Sequence, residues 1–112
     1  MNRVWLFGVT MLLACTSSAE SYVVSQKHKA FLLDGEFVKQ MTVVVGDTVD
    51  FRNDDPFFHN VFSLSSVERF DLGIFPQGES RAVIFDQQGT VEVECSIHPY
   101  MHLTVEVINN EQ

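Results

Sequence analysis

The segment 95–101, with the sequence CSIHPYM, constrains this chain more than any other part of it. It brings together the thiol of Cys95, the imidazole of His98 and the thioether of Met101, with no carboxylate among them. Thiolate and thioether ligands select copper, above all where a weak sulfur ligand lies on the axis of a trigonal site that also holds two imidazoles. The segment supplies only one imidazole. The sequence therefore predicts a fold that brings an upstream histidine back to Cys95.

Alternating side chains predict that the chain around this segment is made of strands. In residues 90–95, Val91, Val93 and Cys95 share one face, while glutamates occupy the other. His59 begins another strand-like segment and shares a face with Val61. Cys95 and His59 are thus expected at strand ends, with their side chains entering from the core. Only long-range pairing of strands near residues 60 and 94 brings the two together.

The whole pattern predicts an all-β fold. About seven short strands, the first two at residues 22–24 and 37–45, are separated by turn signals such as Asp34-Gly35. Short alternating strands of this kind favour a Greek-key antiparallel β-sandwich or barrel. Residues 66–78 carry two glycines and a proline, which predicts a long crossing loop with a short helical turn at 67–70.

The first nineteen residues are predicted to be a secretory signal peptide, which leaves one domain at residues 20–112. A positive start at Arg3 precedes an apolar run that is too short to span a bilayer, and small residues follow at the cleavage positions. An alternative is open, because Leu12-Leu13-Ala14-Cys15 resembles the lipobox of bacterial lipoproteins. Lipidation of Cys15 would tether the protein to a membrane.

Charge and cysteine content agree with an exported, metal-binding domain. After residue 19 the chain has six Lys and Arg against fifteen Asp and Glu, a net charge of −9. Nucleic acid is not expected as a partner of so acidic a chain, whereas basic proteins are. Cys95 is the single cysteine beyond the leader, and a lone thiol in an oxidising compartment is exposed to oxidation unless something such as a metal occupies it.

Two motifs resemble the cupredoxins over roughly residues 37–107. The segment VGDTVDFRN at 45–53, followed by His59-Asn60-Val61, is similar to the first half of such a domain. The spacing Cys95-x2-His98-x2-Met101 is similar to its second half, and the short loop with proline after the histidine is most similar to the amicyanin branch of the plastocyanin-like proteins.

The resemblance implies a type 1 copper site, with one ion cycling between Cu(I) and Cu(II). It implies that His59, Cys95 and His98 lie in the trigonal plane and that Met101 lies on the axis. It also implies that the side chain of Asn60 binds the backbone beside Cys95, at Ser96. The alternative for Asn60 is a residue favoured at a strand start.

Two further expectations concern residues near the site. An apolar rim around His98, from which electrons leave in this family, is predicted at Phe57, Phe58, Ile97, Pro99 and Tyr100, with core packing as the alternative for the two phenylalanines. His28 is expected at the surface. His102 is expected to point away from Met101, with a role as an alternative ligand left open.

The function that the sequence favours is that of an exported blue-copper carrier of single electrons, not an enzyme. The expected protein is a periplasmic monomer, bound to a membrane only if Cys15 is lipidated. Its expected partners are redox proteins such as a c-type cytochrome or a periplasmic dehydrogenase or oxidase. Copper delivery or storage is the alternative, and an accessory role in an oxidase or reductase is a third. Four ligands leave no open position for a substrate.

Overall fold

The computed structural model describes residues 19–109, and within them it contains ten strands and no helix. The predicted signal peptide, including Cys15, lies outside the described residues except for Ala19, so its processing stays a prediction. No helix in the described part is long and apolar enough to cross a membrane.

Ten strands form two sheets that pack face to face. In chain order they are β1 (Ser21–Lys27), β2 (Ala30–Leu33), β3 (Glu36–Phe37), β4 (Gln40–Val44), β5 (Asp47–Asn53), β6 (His59–Ser63), β7 (Phe70–Phe75), β8 (Ser80–Phe85), β9 (Gly89–Glu94) and β10 (His102–Ile108). One sheet has the order β3-β2-β1-β5-β8 and the other β4-β10-β9-β6-β7. The predicted all-β sandwich is confirmed, with ten strands rather than about seven.

Neither sheet is purely antiparallel. β1 runs parallel to β5, and β4 runs parallel to β10, while the other pairs are antiparallel. In each parallel pair the two strands are not consecutive in the chain, so no short turn connects them. Turn signals in the sequence mark hairpins between neighbours, so they could not reveal these two parallel edges.

The β1–β2 hairpin turns on two residues that carry no turn signal. His28 and Lys29 both have a φ of 57°, in the left-handed region that such two-residue hairpins require and that asparagine and glycine usually fill. The backbone N–H groups of both residues donate to the carboxylate of Asp55, at 2.8 Å and 3.0 Å. A residue 26 positions away in sequence thus stabilises this turn, which explains why a strand was predicted within β1 but none at β2.

The helical turn predicted at 67–70 is wrong, and the long loop predicted over residues 66–78 is wrong in its centre, which is the strand β7. Phe70–Phe75 pairs with β6 at the edge of the sheet, and Phe75 is fully buried. Gly73, with a φ of 79°, lies inside this edge strand rather than in a loop. Glycine is tolerated at an irregular strand position, which made the strand hard to distinguish from a loop.

The core lies between the two sheets, and the candidate site lies at one end of it. Val91 and Val93 of β9 and Val61 of β6 are fully buried, as their alternation predicted. β6 and β9 are neighbours in their sheet, with Phe62 opposite Glu94. His59 opens β6 and Cys95 follows β9, so antiparallel pairing brings these two strand ends together.

A glycine at the start of β9 gives a test of this packing. In Gly89→Ala the new Cβ would lie 2.8 Å from Val67 Cγ2, at a φ of +141°. Strained backbone adds about 1–2 kcal/mol and overpacking about 1–3 kcal/mol more. The matched control is Gly35→Ala, where φ is +83° and no atom lies within 4 Å of the new Cβ. Denaturant unfolding of the metal-free protein should show Gly89→Ala to be clearly less stable than Gly35→Ala. Equal stability would contradict the packing described here.

Candidate metal centre

Three of the predicted ligand residues meet at the end of the sandwich. Nδ1 of His59 lies 3.6 Å from Sγ of Cys95 and 3.2 Å from Nδ1 of His98. The three donor atoms all lie within 4.8 Å of one another. His59 and Cys95 are fully buried, whereas His98 is partly exposed. The fold therefore brings together residues that are up to 39 positions apart in sequence.

The short segment between β9 and β10 positions the remaining sulfur residue. The backbone N–H of Met101 donates to the carbonyl of His98 at 2.9 Å, which closes a tight turn across Pro99 and Tyr100. This turn brings the Met101 side chain back into the core, where it is only 1% exposed. A methionine buried directly before β10, in a loop that also carries His98, is placed as the predicted axial ligand requires.

Asp55 holds the ring of His59 from the side opposite the donor cluster. Nε2–H of His59 donates to Oδ2 of Asp55 at 2.7 Å, and Asp55 is itself only 3% exposed. A proton on Nε2 leaves a lone pair on Nδ1, directed at Cys95 and His98. Carboxylate partners of this kind fix the tautomer and orientation of metal-binding histidines and increase their basicity.

The pKa values of Asp55 and His98 are both shifted in the direction that favours metal binding. Burial by itself would raise the pKa of Asp55, but the hydrogen bonds from His59 and from the backbone of Lys29 and His28 outweigh it, so the pKa is lowered. Asp55 is therefore an anion at neutral pH. Burial, followed by the charges of His59 and Lys29, lowers the pKa of His98 and keeps its ring neutral. Neutral imidazole is the form that binds a metal.

The two distances from His59 Nδ1, 3.6 Å to Cys95 Sγ and 3.2 Å to His98 Nδ1, are short enough for one small metal ion to bind both atoms of each pair. His59, Cys95 and His98 would each supply one donor atom to a first-row metal, whose bonds are typically about 2.0 Å to nitrogen and about 2.3 Å to sulfur. Two imidazoles, a thiolate and a thioether are also the donor set that copper takes in trigonal sites with a weak axial sulfur.

A hydrogen bond across strands fixes the position of Cys95. Oδ1 of Asn60 accepts the backbone N–H of Ser96 at 2.8 Å, as the sequence comparison with cupredoxins implied. The same residue is held from the other sheet, because Nε2 of the buried Gln26 donates to the carbonyl of Asn60 at 3.3 Å. The two strand ends that carry His59 and Cys95 are thereby joined by side chains as well as by the sheet.

The residues of the predicted apolar rim are exposed, so the alternative that its two phenylalanines are core residues is wrong. Phe57 and Phe58 are 37% and 54% exposed, and Tyr100 is 72% exposed. The ring of Phe57 also contacts the site, with its centroid 5.2 Å from that of His98 and 5.5 Å from that of His59. The remaining rim residues, Ile97 and Pro99, are exposed too.

The other two histidines do not join the donor cluster. His28 is exposed in the β1–β2 turn, as expected. Nε2 of His102 lies 2.9 Å from Oε1 of Glu92 on the neighbouring strand, and its side chain is nearly half exposed. His102 therefore points away from the site, and the structure gives it no role as an alternative ligand.

Asp55 is the site residue that the sequence prediction missed. It lies in the acidic run Asp54-Asp55-Pro56, which is typical of a turn and gave no reason to single out one carboxylate. One signal was available. Asp55 comes four residues before a predicted histidine ligand, and such ligands usually donate their second nitrogen to a carboxylate, a carbonyl or a water.

Comparison with known proteins gives a match in structure but not in sequence. No protein-family model matches the sequence, and no curated protein matches it either. The fold is similar to that of a Cu(I) form of an amicyanin mutant, with a TM-score of 0.68, 23% identity and coverage of 78% of this chain and 81% of that one. An oxidised form of another amicyanin mutant gives a TM-score of 0.66 and 26% identity, with the same coverage.

A third neighbour is much larger. A Cu-containing nitrite reductase from Thermus scotoductus SA-01 gives a TM-score of 0.68 and 24% identity. The match covers 91% of this chain but only 25% of that enzyme. Together these neighbours show that the chain has a cupredoxin fold.

The hydrogen bond from His59 to Asp55 gives a prediction about metal affinity. We expect Asp55→Asn to weaken binding of cobalt(II), used as a spectroscopic probe, by about ten- to a hundred-fold, because the ring of His59 loses its anionic acceptor. The matched control is Asp54→Asn, which removes the neighbouring carboxylate that binds Ser25 and Arg52 instead. Titration followed by the thiolate absorption band measures both. Equal affinity in the two variants would contradict the role given to Asp55.

Proposed function

We propose that this protein is an exported electron carrier that binds one type 1 copper ion. The proposed ligands are His59, Cys95 and His98 in a plane, with Met101 as the weak axial ligand. The observation that carries the proposal is the cluster of two imidazole nitrogens and one thiol within 4.8 Å, at the end of a cupredoxin fold. Two of the structural neighbours are forms of amicyanin and a third is named as a copper enzyme.

The residues of the site are suited to hold one geometry in two oxidation states. Bound copper would supply the one-electron couple. His59 is fixed by Asp55 at 2.7 Å, and the segment that begins at Cys95 is fixed by Asn60 at 2.8 Å. Ligands that are already held by the protein move little when the charge of the site changes, which keeps electron transfer fast. The buried thioether of Met101 would supply a weak sulfur donor, which favours neither oxidation state strongly.

The partly exposed ring of His98 is the proposed exit for electrons. It is the one donor residue of the cluster that reaches the surface, since His59 and Cys95 are fully buried. Around it lie the exposed apolar residues described above, and the ring of Phe57 contacts the ring of His98. Redox partners bind weakly and briefly through small interfaces of this kind.

Two observations argue against the alternatives. The methionines in the described residues, Met41 and Met101, are 6% and 1% exposed, so this part of the chain has no exposed methionine surface for copper delivery. The four proposed ligands, His59, Cys95, His98 and Met101, would fill the site and leave no open position for a substrate, which a copper enzyme needs. The match to one quarter of a nitrite reductase is a likeness in fold to a single part of that enzyme.

Location and partners follow from the leader and the charge. We propose cleavage of the signal peptide and release into the periplasm, with lipidation at Cys15 as the alternative. The acidic domain, with fifteen Asp and Glu in the whole chain, should meet a basic redox protein such as a c-type cytochrome or a periplasmic dehydrogenase or oxidase most rapidly at low salt.

The type 1 site predicts a colour. The Cu(II) protein should absorb intensely in the visible range through its bond to the Cys95 thiolate, and Cys95→Ser should abolish this absorption. The control is Ser96→Ala, which leaves intact the backbone N–H that binds Asn60 and should keep the colour. A colourless Cu(II) complex of the unaltered protein would contradict the type 1 assignment.

Electron transfer can be separated from copper delivery in one experiment. A reduced c-type cytochrome, mixed anaerobically with the Cu(II) protein, should be oxidised in stopped flow while all copper stays bound. The rate should fall as salt is added, since the domain is acidic. Rapid loss of Cu(I) to a chelator, together with no cytochrome oxidation, would support delivery and contradict the carrier proposal.

A further inference from the structure

A groove beside the proposed axial ligand has no role in the site described so far. It lies between the β2–β3 hairpin and the segment 100–102, and its volume is about 320 Å³. Its lining includes Phe31 and Met101, which are almost fully buried, and the exposed aromatic rings of Phe37 and Tyr100. We call it the Met101 groove.

The charge of the Met101 groove is opposite to that of the protein as a whole. No aspartate or glutamate lines it, although the chain carries fifteen. Lys29 and Lys39 line it, and neither forms an ion pair with a carboxylate among residues 19–109. His102, also in the lining, already has a carboxylate partner in Glu92. Two lysine charges are therefore free to bind an anion.

The groove is continuous with the rim around His98. Tyr100 belongs to both, and it is 72% exposed. Nζ of Lys29 lies 5.5 Å from the centroid of the Phe57 ring, which in turn contacts His98. A partner that covers the rim would therefore also reach the groove and its two lysines.

We propose that the Met101 groove binds an acidic segment of the redox partner, with an aromatic side chain seated on Phe31 and Met101 and carboxylates paired to Lys29 and Lys39. That the occupant belongs to a redox partner rests on the proposed function. The groove and its positive charge are observed in the structure and do not depend on that function. The occupant lies beside a proposed copper ligand, so the same contact that selects the partner also brings it close to the metal.

A protein segment fits the observations better than a free small molecule does. The volume is at the lower end of the range of ligand pockets, about 300–1,000 Å³, and accommodates about one large side chain. Phe37 is 70% exposed, and exposed aromatic rings beside a pocket are typical of protein interfaces rather than of enclosed ligand sites. The groove also adjoins the surface at which the partner is proposed to bind.

Short peptides test the proposal without any electron transfer. The probes are acetyl-Glu-Phe-Glu-amide and its neutral counterpart acetyl-Gln-Phe-Gln-amide, titrated into the Cu(I) protein and, separately, into the metal-free protein. The acidic peptide should shift the backbone amide resonances of residues 29–31, 37–39 and 100–102 and should bind more tightly than the neutral one. Free phenylacetate, a small aromatic acid, is the third probe and should bind more weakly than the acidic peptide.

Matched lysine variants locate the charge. The double variant Lys29→Gln/Lys39→Gln should weaken binding of the acidic peptide by about two- to thirty-fold, as expected for the loss of two exposed charge pairs. Lys27→Gln removes an exposed lysine that does not line the groove, and should leave the affinity unchanged.

Several results would overturn the proposal. They are resonance shifts confined to other surfaces, equal affinity for the neutral peptide, equal losses in the Lys27 variant, and tighter binding of phenylacetate, which would indicate a small-molecule site. Failure of the colour or electron-transfer tests would reject the proposed function instead. The peptide titration would still decide whether the groove binds an acidic segment.

Discussion

The carboxylate of Asp55 joins the parts of the molecule on which the site depends. It accepts hydrogen bonds from the ring of His59 and from the backbone of His28 and Lys29, all between 2.7 and 3.0 Å. One buried anion thus orients a proposed metal ligand and also stabilises a hairpin turn whose two residues adopt a left-handed conformation. Removal of one partner from such a network leaves the others unsatisfied, so the turn and the ligand are coupled.

That coupling extends from the buried site to the surface. The turn held by Asp55 presents Lys29, which lies over Phe57, and Phe57 contacts both histidines of the cluster. The other wall of the Met101 groove is the ligand loop, closed by the hydrogen bond from Met101 to His98. Ligand geometry and the shape of the proposed docking surface are therefore set by the same few contacts, and the sandwich supplies the rigid frame.

The sequence predicted the site better than the strands. Cys95, His98 and Met101 lie close together in the chain, and the alternation around His59 and Cys95 placed both at strand ends, whereas the choice of His59 as a ligand came from the resemblance to cupredoxins. The bond from Asn60 to Ser96 followed from resemblance to cupredoxins. Asp55 and the β1–β2 hairpin were missed because each depends on the other across 26 or more residues, and a tertiary contact of this kind leaves no periodic signal. β7 was missed because its glycine resembled a loop signal.

The proposed function requires that the protein hold one ligand set in both oxidation states. X-ray absorption of the copper-loaded protein, measured for Cu(II) and again after reduction to Cu(I), tests this requirement. We expect two nitrogen ligands and one short sulfur ligand in both states, matching His59, His98 and Cys95. Loss of the sulfur ligand, or a set that gains or loses a nitrogen on reduction, would contradict it.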